Sequence, residues 1–172
     1  MFLDLINTDK LARAAKYALL MAVCMILQNS VLSSVEVLGT KCLFLPAAAV
    51  AVGMFEGGVW GGVFGLIMGL LTDMGFSENT VLFTVLFPIL GFFSGALTAF
   101  FVNKRFFAYF ILSLAALVLT AAAQIAGLWL FRDADAGALL ITAAKQTLWS
   151  LPFTVPLYFA CRGLSGRNAD RN

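Results

Sequence analysis

Long apolar stretches, separated by short polar connections, constrain this chain more than any other feature. The clearest one extends from Cys42 to Thr72, where Glu56 is the only charged residue. A soluble domain of 172 residues has too little interior to bury so many apolar side chains. Only 12% of the residues are charged, against about 25% in an ordinary soluble domain. We therefore expect a polytopic membrane protein with one integral membrane domain over residues 1–172.

The composition also argues against several classes of function. The chain has no His, and its net charge of +2 provides no basic face for nucleic acid. Its three cysteines lie far apart without a CxxC pair, so we expect neither a disulfide framework nor a metal site. No phosphate loop is visible, and Ser and Thr have no His partner to activate them. The sequence therefore predicts a protein without catalytic residues or a cofactor.

Each apolar stretch is expected to form a membrane-spanning helix. Such a helix needs about 20 apolar residues to cross a hydrocarbon core about 30 Å thick. A single helix over residues 42–72 would be about 45 Å long, so we divide this stretch into a hairpin at Glu56-Gly57-Gly58. The polar residues before the first span, with no small-residue cleavage site after it, differ from a cleaved signal peptide. The six predicted spans are residues 17–34, 37–55, 57–73, 80–102, 106–131 and 139–162.

The distribution of positive charge favours six spans over five. If the hairpin were one span, five cations would lie inside and six outside. Because cytoplasmic loops are enriched in Lys and Arg, we predict an all-α bundle of six transmembrane helices with both termini in the cytoplasm. In that arrangement eight cations lie inside, namely Lys10, Arg13, Lys16, Lys104, Arg105, Arg162, Arg167 and Arg171, and three lie outside, namely Lys41, Arg132 and Lys145.

Small residues recur at every fourth position in three of the predicted spans. Residues at this spacing form a groove that lets another helix approach closely. Two interpretations stay open, namely packing of helices within this bundle and a groove for the helix of a separate protein. The rows are Gly53, Gly57, Gly61, Gly65 and Gly69 in the hairpin, then Gly91, Gly95 and Ala99, and finally Ala14, Ala18 and Ala22.

A few polar groups lie within or beside the predicted spans. Asp73 ends the third span, and a carboxylate there is a functional candidate because its burial in lipid is costly. It either caps or anchors the helix, or contacts a partner or ligand. Gln28 and Lys145 are expected either to hydrogen-bond between helices or to form, with Trp149 and Glu78, a substrate pocket near the outer leaflet.

Several short motifs follow one another through most of the chain. They are LQNSVL at 27–32, GGVWGGVFG at 57–65, GLLTDM at 69–74, LFPILGFFSG at 86–95, and a tail with two prolines that ends at Arg162. The order of these motifs resembles the MreD family of rod-shape-determining membrane proteins. The glycine-rich run that ends in GLLTD is the most specific part of the resemblance.

This resemblance implies a non-enzymatic scaffold in the bacterial cytoplasmic membrane. Members of that family bind the single-span protein MreC and act with other proteins of the cell-elongation machinery. They help to couple cytoplasmic MreB filaments to peptidoglycan synthesis. A groove of small residues fits this role, because a partner's helix needs a surface on which it can pack closely in the lipid bilayer.

A rival interpretation follows from a second resemblance. The MreD family is similar in architecture to the six-helix substrate-binding (S) components of energy-coupling-factor vitamin transporters, so an S-component-like bundle is expected. The row Ala14, Ala18 and Ala22 is similar to the small-residue motif that S components use against their coupling subunit. The predicted outer connections are short and poor in polar and aromatic groups for holding a vitamin, which favours the scaffold.

Overall fold

The chain forms a bundle of helices. The computed structural model describes residues 8–32, 40, 42–75, 81–100, 105–132 and 136–166, and almost all of these residues are helical. The prediction of an all-helical protein is confirmed for these ranges. The helices are α1 (Thr8–Ile26), α2 (Leu45–Glu56), α3 (Gly58–Gly75), α4 (Leu82–Phe100), α5 (Phe106–Arg132) and α6 (Ala136–Gly166), and α1 continues into a π-helical segment at Leu27–Leu32.

Helix α2 forms the centre of the bundle. It packs against all five of the other helices, and every residue from Leu45 to Phe55 is buried. A helix that is apolar on all sides is typical of a bundle interior. Alanine is the commonest residue along α2, so the neighbouring helices can approach from every direction.

The hairpin predicted from the sequence is present as α2 and α3. Gly57 joins them with a φ of 97°, a conformation that only glycine adopts without strain. Its N–H donates a hydrogen bond to the carbonyl of Gly53 at 2.9 Å, which closes the last turn of α2. The division of the stretch 42–72 at Glu56-Gly57-Gly58 is therefore correct.

The expectation of a continuous helical span over residues 37–55 is wrong. Helix α2 begins only at Leu45, and its 12 residues give a length of about 18 Å, which is short for a hydrocarbon core of about 30 Å. The preceding residues Cys42–Phe44 are buried but not helical. They are apolar because protein surrounds them, and side chains from other helices bind their backbone groups.

Three helices in the described part of the chain are long and apolar enough to cross a membrane. They are α3, α4 and the segment Phe106–Gly127 of α5, and their outward faces carry large exposed apolar side chains. Shorter apolar helical segments occur at Ala14–Ser30 and Leu45–Glu56. These features fit a membrane protein. The six-span count and the cytoplasmic termini stay predictions.

Candidate functional site

The glycines of α3 form a close seam with α4. An added Cβ at Gly61 would lie 2.5 Å from the Gly91 carbonyl oxygen, and one at Gly65 would lie 2.5 Å from the Phe87 carbonyl oxygen. An added Cβ at Gly69 would overlap the carbonyl of Phe83 in the same way. All of these neighbours are backbone atoms, which cannot move aside as a flexible side chain can. We call this contact the glycine seam.

The glycine seam is occupied by a helix of the same chain. On the α4 side, Gly91 lies against Gly61, and Gly95 lies against Gly58 at the start of α3. Packing within the bundle therefore accounts for these glycines, and no groove remains there for a separate helix. Gly57 differs from the rest of the row because a Cβ there would meet no atom within 4 Å; it serves the turn instead.

Helix α2 joins this seam through a third glycine. An added Cβ at Gly61 would also lie 2.5 Å from the Cα of Gly53, so α2, α3 and α4 meet at one point. The buried Ser94 hydroxyl lies 2.9 Å from the carbonyl oxygen of Gly91 and 3.2 Å from that of Val50. A small polar side chain thus links α4 to the centre of the bundle.

The alanine row of α1 is placed differently from the glycine seam. Ala14 is half-buried, while Ala18 and Ala22 are exposed. Their neighbours Leu19 and Val23 are exposed as well. Of the three small-residue rows predicted from the sequence, this is the one that lies mostly on the surface.

Two side chains from distant helices hold the non-helical residues before α2. The amide nitrogen of Gln28 donates to the carbonyl of Cys42, and its oxygen accepts from the N–H of Phe44 at 3.3 Å. The hydroxyl of Ser150 on α6 accepts from the N–H of Leu43 at 3.0 Å. These bonds satisfy buried backbone groups that would otherwise destabilise the fold. We call Gln28 and Ser150 the clamp.

The local structure around the clamp explains why it is needed. Gln28 lies in the π-helical segment that ends α1, an irregularity that often marks a functional position. Pro46 occupies the first turn of α2, where its missing N–H costs nothing, but Phe44 at the N-cap offers no side-chain oxygen. The clamp binds backbone groups of Cys42, Leu43 and Phe44, immediately before α2 begins.

The structure brings together part of the predicted pocket. The thiol of Cys42 lies 3.5 Å from the hydroxyl of Ser150 and 4.0 Å from the carbonyl of Trp149, so Trp149 and Gln28 both contact the same segment. In the described part of the chain, the buried indole nitrogen of Trp149 has no hydrogen-bond partner. Lys145 lies one turn before Trp149 and is half-buried, and Glu78 lies outside the described residues.

Asp73 caps a helix other than its own. One carboxylate oxygen accepts from the N–H of Phe83 at 3.2 Å, and the other accepts from the N–H and the hydroxyl of Thr84 at 2.7 and 2.6 Å. These N–H groups belong to the first turn of α4, where a negative charge also interacts favourably with the helix dipole. The capping interpretation accounts for Asp73.

Sequence reasoning missed several residues that carry buried hydrogen bonds. Ser150 is one of these residues, and Tyr17 and Tyr109 are two more. Tyr109 donates to the carbonyl of Ala47 at 3.2 Å, and Tyr17 donates to that of Cys161 at 3.3 Å. The available signal was their rarity, since the chain has 3 Tyr against 17 Phe. A buried Tyr in a Phe-rich helix indicates that its hydroxyl has a partner.

No family model, curated protein or solved structure matches the chain. Within the ranges that the structure describes, no three His, Cys, Asp or Glu side chains are placed to hold a metal ion. The chemistry that the described polar groups perform is the binding of backbone N–H and C=O groups.

Proposed function

We propose that this protein is a non-enzymatic scaffold in the bacterial cytoplasmic membrane. It would span the membrane six times, bind an MreC-like single-span protein, and act with other components of the cell-elongation machinery. In that role it links cytoskeletal filaments to peptidoglycan synthesis. The order of the sequence motifs supports the proposal, since it resembles that of the MreD family.

One structural observation supports a scaffold more than a chemical site. Two of the polar side chains that were candidates for chemistry are engaged with the backbone of the same chain: Asp73 with the start of α4, and Gln28 with the residues before α2. Side chains used in this way position helices relative to one another. A rigid bundle with exposed apolar faces is what a helix-binding scaffold requires.

The alanine row of α1 is the surface that we assign to the partner. Helix α4 fills the glycine seam, so a partner's helix must pack elsewhere. Ala18 and Ala22 are exposed and lie beside Leu19, Val23 and Ile26, whose side chains are exposed too. Small residues flanked by large apolar ones allow close approach of a second helix in lipid.

Co-purification with substituted surfaces tests the proposal. We expect the native protein to capture a single-span protein with a large extramembrane domain. The double variant Ala18→Trp/Ala22→Trp should reduce this capture about tenfold, equivalent to about 1.4 kcal/mol of binding free energy. The matched control is Ala115→Trp/Ala122→Trp, which places the same bulk at two exposed alanines of α5. Equal capture by both double variants would contradict the assignment of the α1 surface.

The S-component alternative makes a different prediction from the same exposed row. An S component would use Ala14, Ala18 and Ala22 against a transporter's coupling subunit, and the clamp region with Trp149 would face its vitamin. Capture of transporter ATPases, or nanomolar binding of a vitamin to the purified protein, would favour this alternative and overturn the scaffold.

A further inference from the structure

Three exposed cations lie at the end of the bundle that contains the α2–α3 turn, and each is in or next to a different helix. Lys16 belongs to α1, Arg105 immediately precedes α5, and Arg162 lies in the last turns of α6. All three side chains are exposed. We call these three residues the basic cluster. Contacts between residues adjacent to them bring α1, α5 and α6 together at this end.

Aromatic contacts place Arg105 beside Arg162. The ring of Phe106 lies 5.2 Å from that of Tyr158 and 6.4 Å from that of Phe159, measured between centroids. Arg162 follows these two residues by four and three positions, so it lies one turn further along the same face of α6. Arg105 is next to Phe106 in the chain. Both guanidinium groups therefore emerge at the same end of the α5–α6 pair.

A buried hydrogen bond brings α1 against the same part of α6. The hydroxyl of Tyr17 donates to the carbonyl of Cys161 at 3.3 Å, and both residues are buried. Lys16 precedes Tyr17 and Arg162 follows Cys161 in the chain. Lys16 and Arg162 therefore each adjoin one partner of this hydrogen bond.

Among the side chains that the structure describes, one carboxylate lies at the same end. Glu56 ends α2 and is half-buried. The ring of its neighbour Phe55 lies 5.6 Å from that of Tyr158, so Glu56 is near the inner side of the basic cluster. Within the described part of the chain, the three cations therefore outnumber this carboxylate.

Exposed phenylalanines lie near Arg105 and Arg162 in the basic cluster. Phe107 is 72% exposed, Phe159 is 59% exposed and Phe106 is 39% exposed. A ligand that satisfies both features needs a negatively charged group next to a hydrocarbon chain. A soluble phosphate would use the cations and leave the phenylalanines without a partner, whereas basic sites between membrane helices are suited to anionic lipid headgroups.

We propose that the basic cluster binds an anionic phospholipid. Lys16, Arg105 and Arg162 hold the phosphate headgroup, and an acyl chain lies along Phe106, Phe107 and Phe159. This inference requires insertion in a membrane but does not depend on the scaffold function, because neither the alanine row nor a protein partner takes part.

Lipid binding to the full-length purified protein tests the site. The protein is delipidated in neutral detergent and titrated with phosphatidylglycerol or with phosphatidylcholine, and bound lipid is counted by native mass spectrometry. We expect tighter binding of phosphatidylglycerol, and a loss of about fivefold in its affinity for each cation that is removed. The variant Lys16→Gln/Arg105→Gln/Arg162→Gln should therefore lose about a hundredfold.

A matched variant removes the same charge elsewhere. Lys41→Gln/Arg132→Gln/Lys145→Gln takes three cations from the end that the sequence predicts to be outside, and it should retain the preference for phosphatidylglycerol. The variant Lys16→Arg/Arg105→Lys/Arg162→Lys keeps the charge and should bind as the native protein does.

Equal losses in both glutamine variants, equal affinity of the native protein for the two lipids, or displacement of the lipid by free glycerol phosphate at similar concentration would overturn the proposal. Circular dichroism checks that each variant is folded.

Discussion

At Gly61, α3 lies so close to α2 and α4 that hydrogen is the only side chain with room. The atoms that an added Cβ would meet are the Cα of Gly53 and the carbonyl of Gly91. In lipid, where apolar burial contributes little to the association of helices, such close packing is a main source of stability. A substitution at Gly61 therefore tests how much of the protein's stability depends on the glycine seam.

We predict that Gly61→Ala destabilises the protein, while Gly62→Ala does not. The first substitution overpacks a contact between backbones, which typically costs about 1–3 kcal/mol. At Gly62 the nearest atoms would lie 3.7 Å from the new Cβ, an ordinary contact, and Ala is the better helix former by up to about 1 kcal/mol. Unfolding in a titration with a denaturing detergent measures both. A smaller effect at Gly61 than at Gly62 would mean that the seam is looser than the structure has it.

The sequence indicated the residues of this seam but not their occupant. Spacing by four places Gly61, Gly65 and Gly69 on one face of a helix, and that much follows from helix geometry alone. Which helix covers the face depends on how the chain folds back, and two alternatives were physically equivalent at that stage. Asp73 is a similar case, because its position at a helix end predicted a capping role, whereas its partner α4 could only be found in three dimensions.

At the scale of elements, α2 and the residues before it depend on polar bonds from elsewhere. Residues Cys42–Phe44 are buried and lie before the first helical residue of α2, and the clamp supplies partners for their backbone. Unsatisfied backbone groups inside an apolar bundle are costly, so non-helical chain is tolerated there only where protein groups bind it. The clamp therefore sets the point at which α2 can begin.

We predict that Ser150→Ala destabilises the protein by about 1–3 kcal/mol, because it leaves the N–H of Leu43 buried without its acceptor. Thr142→Ala is the matched control on the same helix. Each hydroxyl bonds the carbonyl four residues earlier, at 2.8 Å for Ser150 and 2.9 Å for Thr142, but Thr142 is exposed and has no described bond to another segment. Hydrogen exchange at Leu43 and detergent unfolding measure the difference, and equal effects of the two substitutions would exclude the clamp.

Hydropathy predicted the existence of the helices better than the start of α2. Residues around Cys42–Phe44 are apolar, as are those of α2, so composition alone favours one continuous helix. The hydropathy of a residue reports that it is buried, but it does not distinguish burial in lipid from burial in protein. The bonds from Gln28 and Ser150 link residues that are 14 to 108 positions apart in the chain, and no local pattern contains them.

At the scale of the whole molecule, the short length of α2 affects how many times the chain crosses the membrane. Since α2 alone is too short to cross the membrane, six spans require the residues from Thr40 to Phe44 to contribute to the second crossing. The alternative, in which the segment from 42 to 72 crosses once, reverses every later element. The end of α3 and the end of α6 therefore each change side of the membrane between the two topologies.

We predict that a cysteine at Gly163 reacts from the cytoplasmic side and one at Met74 from the outside. Both positions are exposed, and each changes side if the hairpin crosses only once. The background protein carries alanine at Cys24, Cys42 and Cys161, which are all buried. A maleimide that cannot cross membranes, applied to intact and to permeabilised cells, reports the side of each cysteine.

The control for this experiment is a cysteine at Val118 in the middle of α5. Its side chain is 51% exposed but should face lipid in either topology, so it should not react with a polar reagent before or after permeabilisation. Reaction of Gly163→Cys in intact cells, together with protection of Met74→Cys, would establish the single crossing and refute the six-span arrangement. It would also place Arg105 and Arg162 outside while Lys16 stays inside, which would divide the basic cluster and run against the usual enrichment of Lys and Arg on the cytoplasmic side.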